Sequence, residues 1–236
     1  MRARRSAWGC ARNRRSTIAE KRVTPDENHA VDTIRAWAWA GFYSANDVRE
    51  MLEDILSGGE DADLLDRAID EEFARKRAAE ASWPETTDCD RLDRIFYRLH
   101  EQGICALHNA GYTMSDGFSD VSEAVAQAPA GHYHGFCFYH GQDVERAVEG
   151  LGLMIAFGDL NDDDAKGILI GQAVVDALQA GGLGTNWTGR MDQRIDLPEI
   201  DWRRRGPPNL SDADFAAPPP DPDTESRSPW WQFWRR

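Results

Sequence analysis

The residues best suited to chemistry gather in the middle of the chain. His132, His134, His140, Gln142 and Asp143 lie close together, and a loop of small and polar residues, Asn109-Ala-Gly-Tyr-Thr-Met-Ser-Asp-Gly117, precedes them. A neutral imidazole beside a carboxylate can take a proton from a reacting group, so His140 with Asp143 forms a candidate general base, with Asp116 or Ser115 acting alongside. This makes His140, Asp143 and Asp116 the candidate catalytic residues, and Asn109, Tyr112, Ser115 and Gln142 the candidate ligand contacts. Each has a plainer competing role: Asp143 can be the N-cap of a helix, and His140 a hydrogen-bonded residue at the end of a strand. On extended backbone His132 and His134 would face one side about 7 Å apart, a spacing that suits two ligands of one zinc or iron ion. A third ligand would have to come from His108, Asp116 or Asp143. Because His-x-His recurs by chance, no metal site is assigned and no cofactor is expected. Cys105 and Cys137 fall in apolar runs, where a thiol is an inert small hydrophobe. The acidic run Asp159 to Asp164 departs from a calcium loop at two positions, Asp164 where glycine is needed and Ile170 where glutamate is needed. Carboxylates placed at a helix start account for it. There is no nucleophile elbow, phosphate-cradling glycine loop or HExxH.

These side chains need a frame, and the apolar pattern supplies one. Gly135 to Tyr139 reads as a strand buried on both faces, Val144 to Glu149 as a short helix, and Leu153 to Phe157 as a second strand. The linking residues are just numerous enough for a parallel crossover. Ile104 to His108 is a further strand, followed by the Asn109 to Gly117 loop and a helix from Asp120 to Gln127. Two last strands, about Gly184 to Trp187 and Arg194 to Leu197, are expected as antiparallel neighbours. Helices are predicted over Ala30–Ala40, from Ser44-Ala-Asn-Asp47 to a stop at Gly58-Gly59, over Asp63–Ala81, after the cap Thr87-Asp88, and from about Asp163 to Ala180. In the last of these, Gly167 and Gly171 would let the backbone approach the sheet.

Charge and composition bound the partners. Hydrophobic residues make up 41% and charged residues 29% of the 236, as in ordinary globular proteins, and no apolar run is long enough for a membrane span. Residues 1–22 hold eight of the 27 basic residues and one of the 41 acidic ones, leaving 19 basic against 40 acidic groups, a net charge of −21. A body so acidic repels phosphate backbones, so nucleic-acid binding by the folded domain is not expected. The N-terminus lacks an apolar signal region and the four cysteines form no CxxC pair, which points to the cytoplasm. Seven of the eleven prolines lie at or after Pro207, in a stretch too poor in apolar residues to build a core. It ends in Trp230-Trp-Gln-Phe-Trp-Arg-Arg236, where Trp230, Trp231, Phe233 and Trp234 could fold back on the domain, dock on a protein partner or lie at a membrane interface.

Several motifs, taken in order, resemble a bacterial family catalogued as a domain of unknown function. They are Thr87-Asp-Cys-Asp-Arg-Leu92, Gly103-Ile104, the Asn109 to Gly117 loop, Phe138-Tyr-His-Gly-Gln-Asp143, the Trp187-Thr-Gly189 turn and Arg194-Ile195. The resemblance spans roughly residues 28–204 and implies no activity. Some members of that family carry a cysteine-rich patch where this chain has Asn109 to Gly117, and a Trp-Asp-Gly turn where it has Trp-Thr-Gly. The expected architecture is α+β: an N-terminal helical subdomain (24–84) followed by a small mixed β-sheet with covering helices (85–204). A disordered basic tail (1–23) and a disordered Pro-rich linker with its Trp-rich end (205–236) flank it. The expected function is a non-catalytic binding or protein-interaction module. The alternative is a hydrolase, for which His140, Asp143, Asp116 and Tyr112 would converge in one concave pocket.

Overall fold

The computed structural model describes residues 24–55 and 61–206. The expectations for the basic tail, the Gly58-Gly59 stop and the Pro- and Trp-rich C-terminal segment with Trp230, Trp231, Phe233 and Trp234 lie outside them. Among the described residues, seven helices and a four-stranded mixed sheet form an α+β architecture, with helices leading.

Helices α1 (Pro25–Ala40), α2 (Ala45–Ile55) and α3 (Ala62–Glu80) come first. Reciprocal caps start the first two: Thr24 with Glu27, and Ser44 with Asp47, each exchange hydrogen bonds between side chain and backbone. Asp61 caps the third. Ala30, Ile34, Val48, Leu52, Leu65 and Ile69 repeat at helical spacing and close into an apolar cluster of their own. Helix α4 (Asp88–Glu101), capped by Thr87 and Asp90, leads to β1 (Ile104–Leu107), α5 (Met114–Gln127), β2 (Gly135–Phe138), α6 (Gly141–Val148), β3 (Leu153–Asp159), α7 (Asp164–Ala180) and β4 (Ile195–Leu197).

The strands lie in the order β1-β2-β3-β4. β1 and β2 are parallel, joined by the crossover helix α5, whereas β2 and β3 are antiparallel and so are β3 and β4. The parallel crossover expected between β2 and β3 is therefore corrected. Helix α6 stays at the carboxyl end of β2, and Gly150 and Gly152, both at positive φ, turn the chain straight into β3. β3 starts three residues beyond the end of β2, pairing Leu153–Ile155 with β4, and then descends beside β2 with Phe138 opposite Ala156. A chain that never returns to the amino end of β2 can only pair antiparallel.

Two further expectations change. Helix α5 begins at Met114 rather than Asp120, because Thr113 and Asp116 form a reciprocal cap inside the segment read as loop. Gly117 is then helical and buried, and a Cβ there would meet the Phe138 ring at 2.2 Å, which is why glycine occupies the helix at this point. Second, the strand expected over Gly184 to Trp187 reduces to one antiparallel bridge, Asn186 to Asp196.

Alternation along the strands separates two faces. Ile104, Ala106, Cys137, Tyr139, Leu153, Ile155, Phe157, Ile195 and Leu197 point into the main core, with residues of α4 and α7. Cys105, Leu107, Phe136, Phe138 and Ala156 point the other way and are covered by Val121, Ala124 and Val125 of α5. That cover ends at β3: Met154 and Asp196, paired across β3 and β4, lie outside the second cluster.

Candidate functional site

His140 follows β2 and is the N-cap residue of α6, and Asp143 sits three residues later in the first turn. The structure thus corrects the expectation that Asp143 itself is the N-cap. The Asp143 carboxylate accepts the His140 backbone N–H at 3.2 Å and lies 3.2 Å from its Nδ1. Both residues are 3% exposed. Arg194, just before β4, completes the cluster. Its Nη1 donates to the two carboxylate oxygens of Asp143 at 2.9 and 3.0 Å, and lies 3.4 Å from Nε2 of His140 and 3.8 Å from Sδ of Met114. A guanidinium only donates, so Nε2 faces it as an acceptor, while Nδ1 is buried beside Asp143 without a hydrogen bond. Burial is the main influence holding the His140 pKa below its ordinary value; Arg194 adds to it, while Asp143 and Asp116 oppose it. The imidazole is neutral and tightly packed.

The loop after β1 comes up beside this pair through its backbone. Ala110 donates to the Tyr139 carbonyl at 2.9 Å, and Gly141 and Gln142 donate to the carbonyls of Gly111 and Tyr112 at 2.9 and 3.3 Å. The side chains disperse. Asn109, at positive φ, donates to the Tyr43 hydroxyl at 2.9 Å. Tyr112 is exposed and donates to Glu145 at 3.2 Å. Asp116 is exposed and accepts from the Thr113 N–H and hydroxyl, each at 2.9 Å, and from the Tyr112 N–H at 3.3 Å; the Thr113 bonds chiefly hold its pKa below the usual carboxylate value. Ser115 and Gln142 are exposed. The structure therefore brings His140 and Asp143 together, sets the loop backbone beside them, and gives Asp116, Tyr112 and Asn109 separate partners. His132 and His134 precede β2 and are exposed, and among the described residues no group of three or more His, Cys, Asp or Glu side chains is arranged to hold a metal ion. Of the acidic run, Asp163 caps α7, and Asp159 accepts the N–H groups of Asn161 and Asp163 at 2.8 and 3.3 Å.

What sequence reasoning missed as a site residue is Arg194. The alternation Arg194-Ile195-Asp196-Leu197 is the signal that could have found it, because it sets Arg194 and Asp196 on the face opposite the core-facing Ile195 and Leu197. There, beyond the reach of α5, lies an open cleft of about 510 Å³. Met154 and Asp196 come from the sheet, Asn186 from its outer bridge, and Arg194 with Asp192 and Gln193 from the turn before β4. His140, Asp143, Asp116 and Tyr112 do not line it. The Trp187 N–H, which donates to the carbonyls of Arg190 and Gln193 at 3.1 and 3.2 Å, pins that turn.

A second cluster was also missed. Tyr139, adjacent in sequence to His140, points to the opposite face of the sheet, and its hydroxyl lies 2.7 Å from Nδ1 of His108. Nε2 of His108 is 3.4 Å from Asp93, and Arg204 donates to both Asp93 oxygens. Phe96 stacks on His108 with ring centroids 4.4 Å apart.

Residues 24–206 match a domain of unknown function (DUF6891). The chain belongs to the DUF6891 family. No curated protein and no solved structure matches it. In this DUF6891 domain the matched span runs from the Thr24 cap to Gly206, where the backbone N–H donates to Glu80 at 3.3 Å. Helix α1, the sheet and the segment after β4 all fall within it.

Proposed function

We propose that this DUF6891 domain is a non-catalytic binding module whose ligand lies in the cleft on the uncovered half of the sheet. The observation that carries this reading is Arg194. It is held from behind by a buried carboxylate, yet its side chain remains 32% exposed and lines a polar cleft. A hydrolase at His140 would need that imidazole to reach a substrate, and its 3% exposure supports a structural role instead. Asp143 and Asp116 spend their lone pairs on the first turns of α6 and α5, which supports the same conclusion.

The binding reading places the protein in the cytoplasm, supported by Cys89, Cys105 and Cys137, which are buried free thiols. No described helix is long and apolar enough to cross a membrane. The net charge of −14 favours a ligand other than nucleic acid, and the composition of Trp230, Trp231, Phe233 and Trp234 suits docking on a protein partner.

The deciding experiment measures thermal shifts of the full chain and of Arg194→Gln against a library of small polar metabolites, with a parallel assay of chromogenic esters, amides and phosphoesters. The binding module predicts a ligand that raises the Tm of the wild type and not of the variant, and no turnover. Turnover abolished by His140→Asn would establish the hydrolase in its place.

A further inference from the structure

Of the three charged side chains that line the cleft, Asp192 pairs with Arg190, whereas Arg194 and Asp196 carry opposite charges and do not pair with each other. Arg194 and Asp196 sit two residues apart on the same face, about 7 Å between Cα atoms. Arg194 directs Nη1 away, to Asp143, His140 and Met114. Its Nε and Nη2 make no hydrogen bond among the described residues. A guanidinium clamped from behind in this way is pre-organised, so its remaining N–H groups can meet a carboxylate with little loss of side-chain freedom. Asp196 is equally fixed. Its backbone N–H donates to Asn186 at 3.1 Å and its carbonyl accepts from Asn186 at 2.8 Å, while Met154 lies opposite on β3. Yet its carboxylate has no ion pair among the described residues, and Oδ1 is sealed from solvent with no hydrogen-bond partner. Sealed in this way Oδ1 lies beyond a ligand's reach, so Oδ2 is the oxygen that the half-buried Asp196 can offer to the cleft.

From this pairing we infer that the cleft takes a free amino acid as a zwitterion, its carboxylate on Arg194 and its ammonium on Asp196. This inference rests on the binding-module reading and names its ligand class. An anion on Arg194 alone would face the unpaired Asp196 carboxylate, and a cation on Asp196 alone would leave the free Arg194 N–H groups unmet, whereas a zwitterion meets both and adds no net charge. The cleft is open, with a volume of about 510 Å³, and Met154 offers an apolar surface for an aliphatic side chain.

The test is isothermal titration calorimetry on the full chain with each of the protein amino acids, followed for any binder by its N-acetyl form, which keeps only the carboxylate, and its methyl ester, which keeps only the ammonium. Binding of at least one amino acid, with either capped form weaker by about 10-fold or more, is the expected result. Asp196→Asn should weaken the amino acid and leave the N-acetyl form unchanged, and Arg194→Gln should leave the ester unchanged. Circular dichroism melts confirm that each variant is folded. An N-acetyl form that binds as tightly as its parent overturns the zwitterion while leaving a binding cleft in place. Silence from every amino acid also overturns it, and the metabolite library then decides the binding module independently.

Discussion

Two arginine–aspartate–histidine clusters stand at the carboxyl end of β2, one on each face of the sheet, reached by the consecutive residues Tyr139 and His140. On one face Arg194 meets Asp143 and His140; on the other Arg204 meets Asp93, which faces His108 and through it Tyr139. The chemistry is alike and the settings are not. The Arg204 side chain is 13% exposed and lies over the rings of Phe42, at 4.5 Å from the centroid, and Trp202, at 5.7 Å. It belongs to a strap, residues 201–206, that ties the end of the domain back across α1, α3 and α4: Trp202 donates to the Ala40 carbonyl at 3.2 Å and Arg205 to Asp90 at 3.1 Å. Among the described residues no aromatic ring lies over Arg194, which borders an open cleft. The lesson is that an ion pair beside a histidine does not mark function by itself; what the cation does with its remaining surface separates a rivet from a binding group.

Removing the rivet should have the larger effect. Arg204→Ala strips the aromatic packing and removes the guanidinium from Asp93, and should lower unfolding free energy by about 3 kcal/mol, measured by urea denaturation. A loss below about 1 kcal/mol would erase the distinction between the clusters.

The strap also closes over Lys76, which is 2% exposed; its Nζ lies 3.8 Å from Glu80 without a hydrogen bond, and burial, opposed by Glu80, lowers its pKa to about 8. The unfolded chain, with an ordinary lysine, binds more protons between about pH 8 and 10.5, so stability should rise with pH through that window and the full penalty apply below it. Lys76→Met should therefore stabilise the protein at pH 7 by up to about 3 kcal/mol and flatten the alkaline rise. A steeper rise in the variant would show that the ion pair with Glu80 outweighs the burial of the lysine.

Arg194→Gln should cost less than Arg204→Ala, about 1–2 kcal/mol, because the neutral amide can still donate to Asp143 and water can reach the vacated space. Equal losses for the two variants would mean that Arg194 is a second rivet. The His140 pKa is lowered, so the unfolded state binds the proton first; this contribution to stability is present above the ordinary histidine pKa and lost as pH falls through it toward the folded value. Half-buried His100, lowered to about 4 chiefly by desolvation, acts in the same direction, so His140→Asn should reduce the acid-side slope without abolishing it.

The smallest effect belongs to Thr113→Ala, which removes the cap of α5 and should cost about 1 kcal/mol with no change in the ligand affinity of the cleft. An affinity change there would move the binding surface back to the loop after β1.

Much of the frame was legible before any coordinates. The caps Ser44 with Asp47 and Thr87 with Asp90 declare themselves as a hydroxyl followed three residues later by a carboxylate. The run from Phe136 to Tyr139 is buried throughout, as its unbroken apolar character requires. The candidate site was legible only in part: His140 and Asp143 were read as neighbours because they are three residues apart, while their partner Arg194 comes from more than fifty positions away. Asp116 looked like an acid facing the histidine and is a helix cap, since the same Thr-Met-Ser-Asp spacing serves both readings and only the start of α5 decides between them.

The sequence by itself determined the starts of α2, α4 and α7, the strand alternation and the place where polar residues end the central strand, because each depends on neighbours within a few positions. Tertiary structure alone decided that β2 and β3 run antiparallel, that Arg194 and Arg204 arrive on opposite faces of one strand end, and that α5 stops short of Met154 and Asp196. Those outcomes turn on which distant surfaces pack, and no local period encodes the length of a helix relative to the width of the sheet it covers.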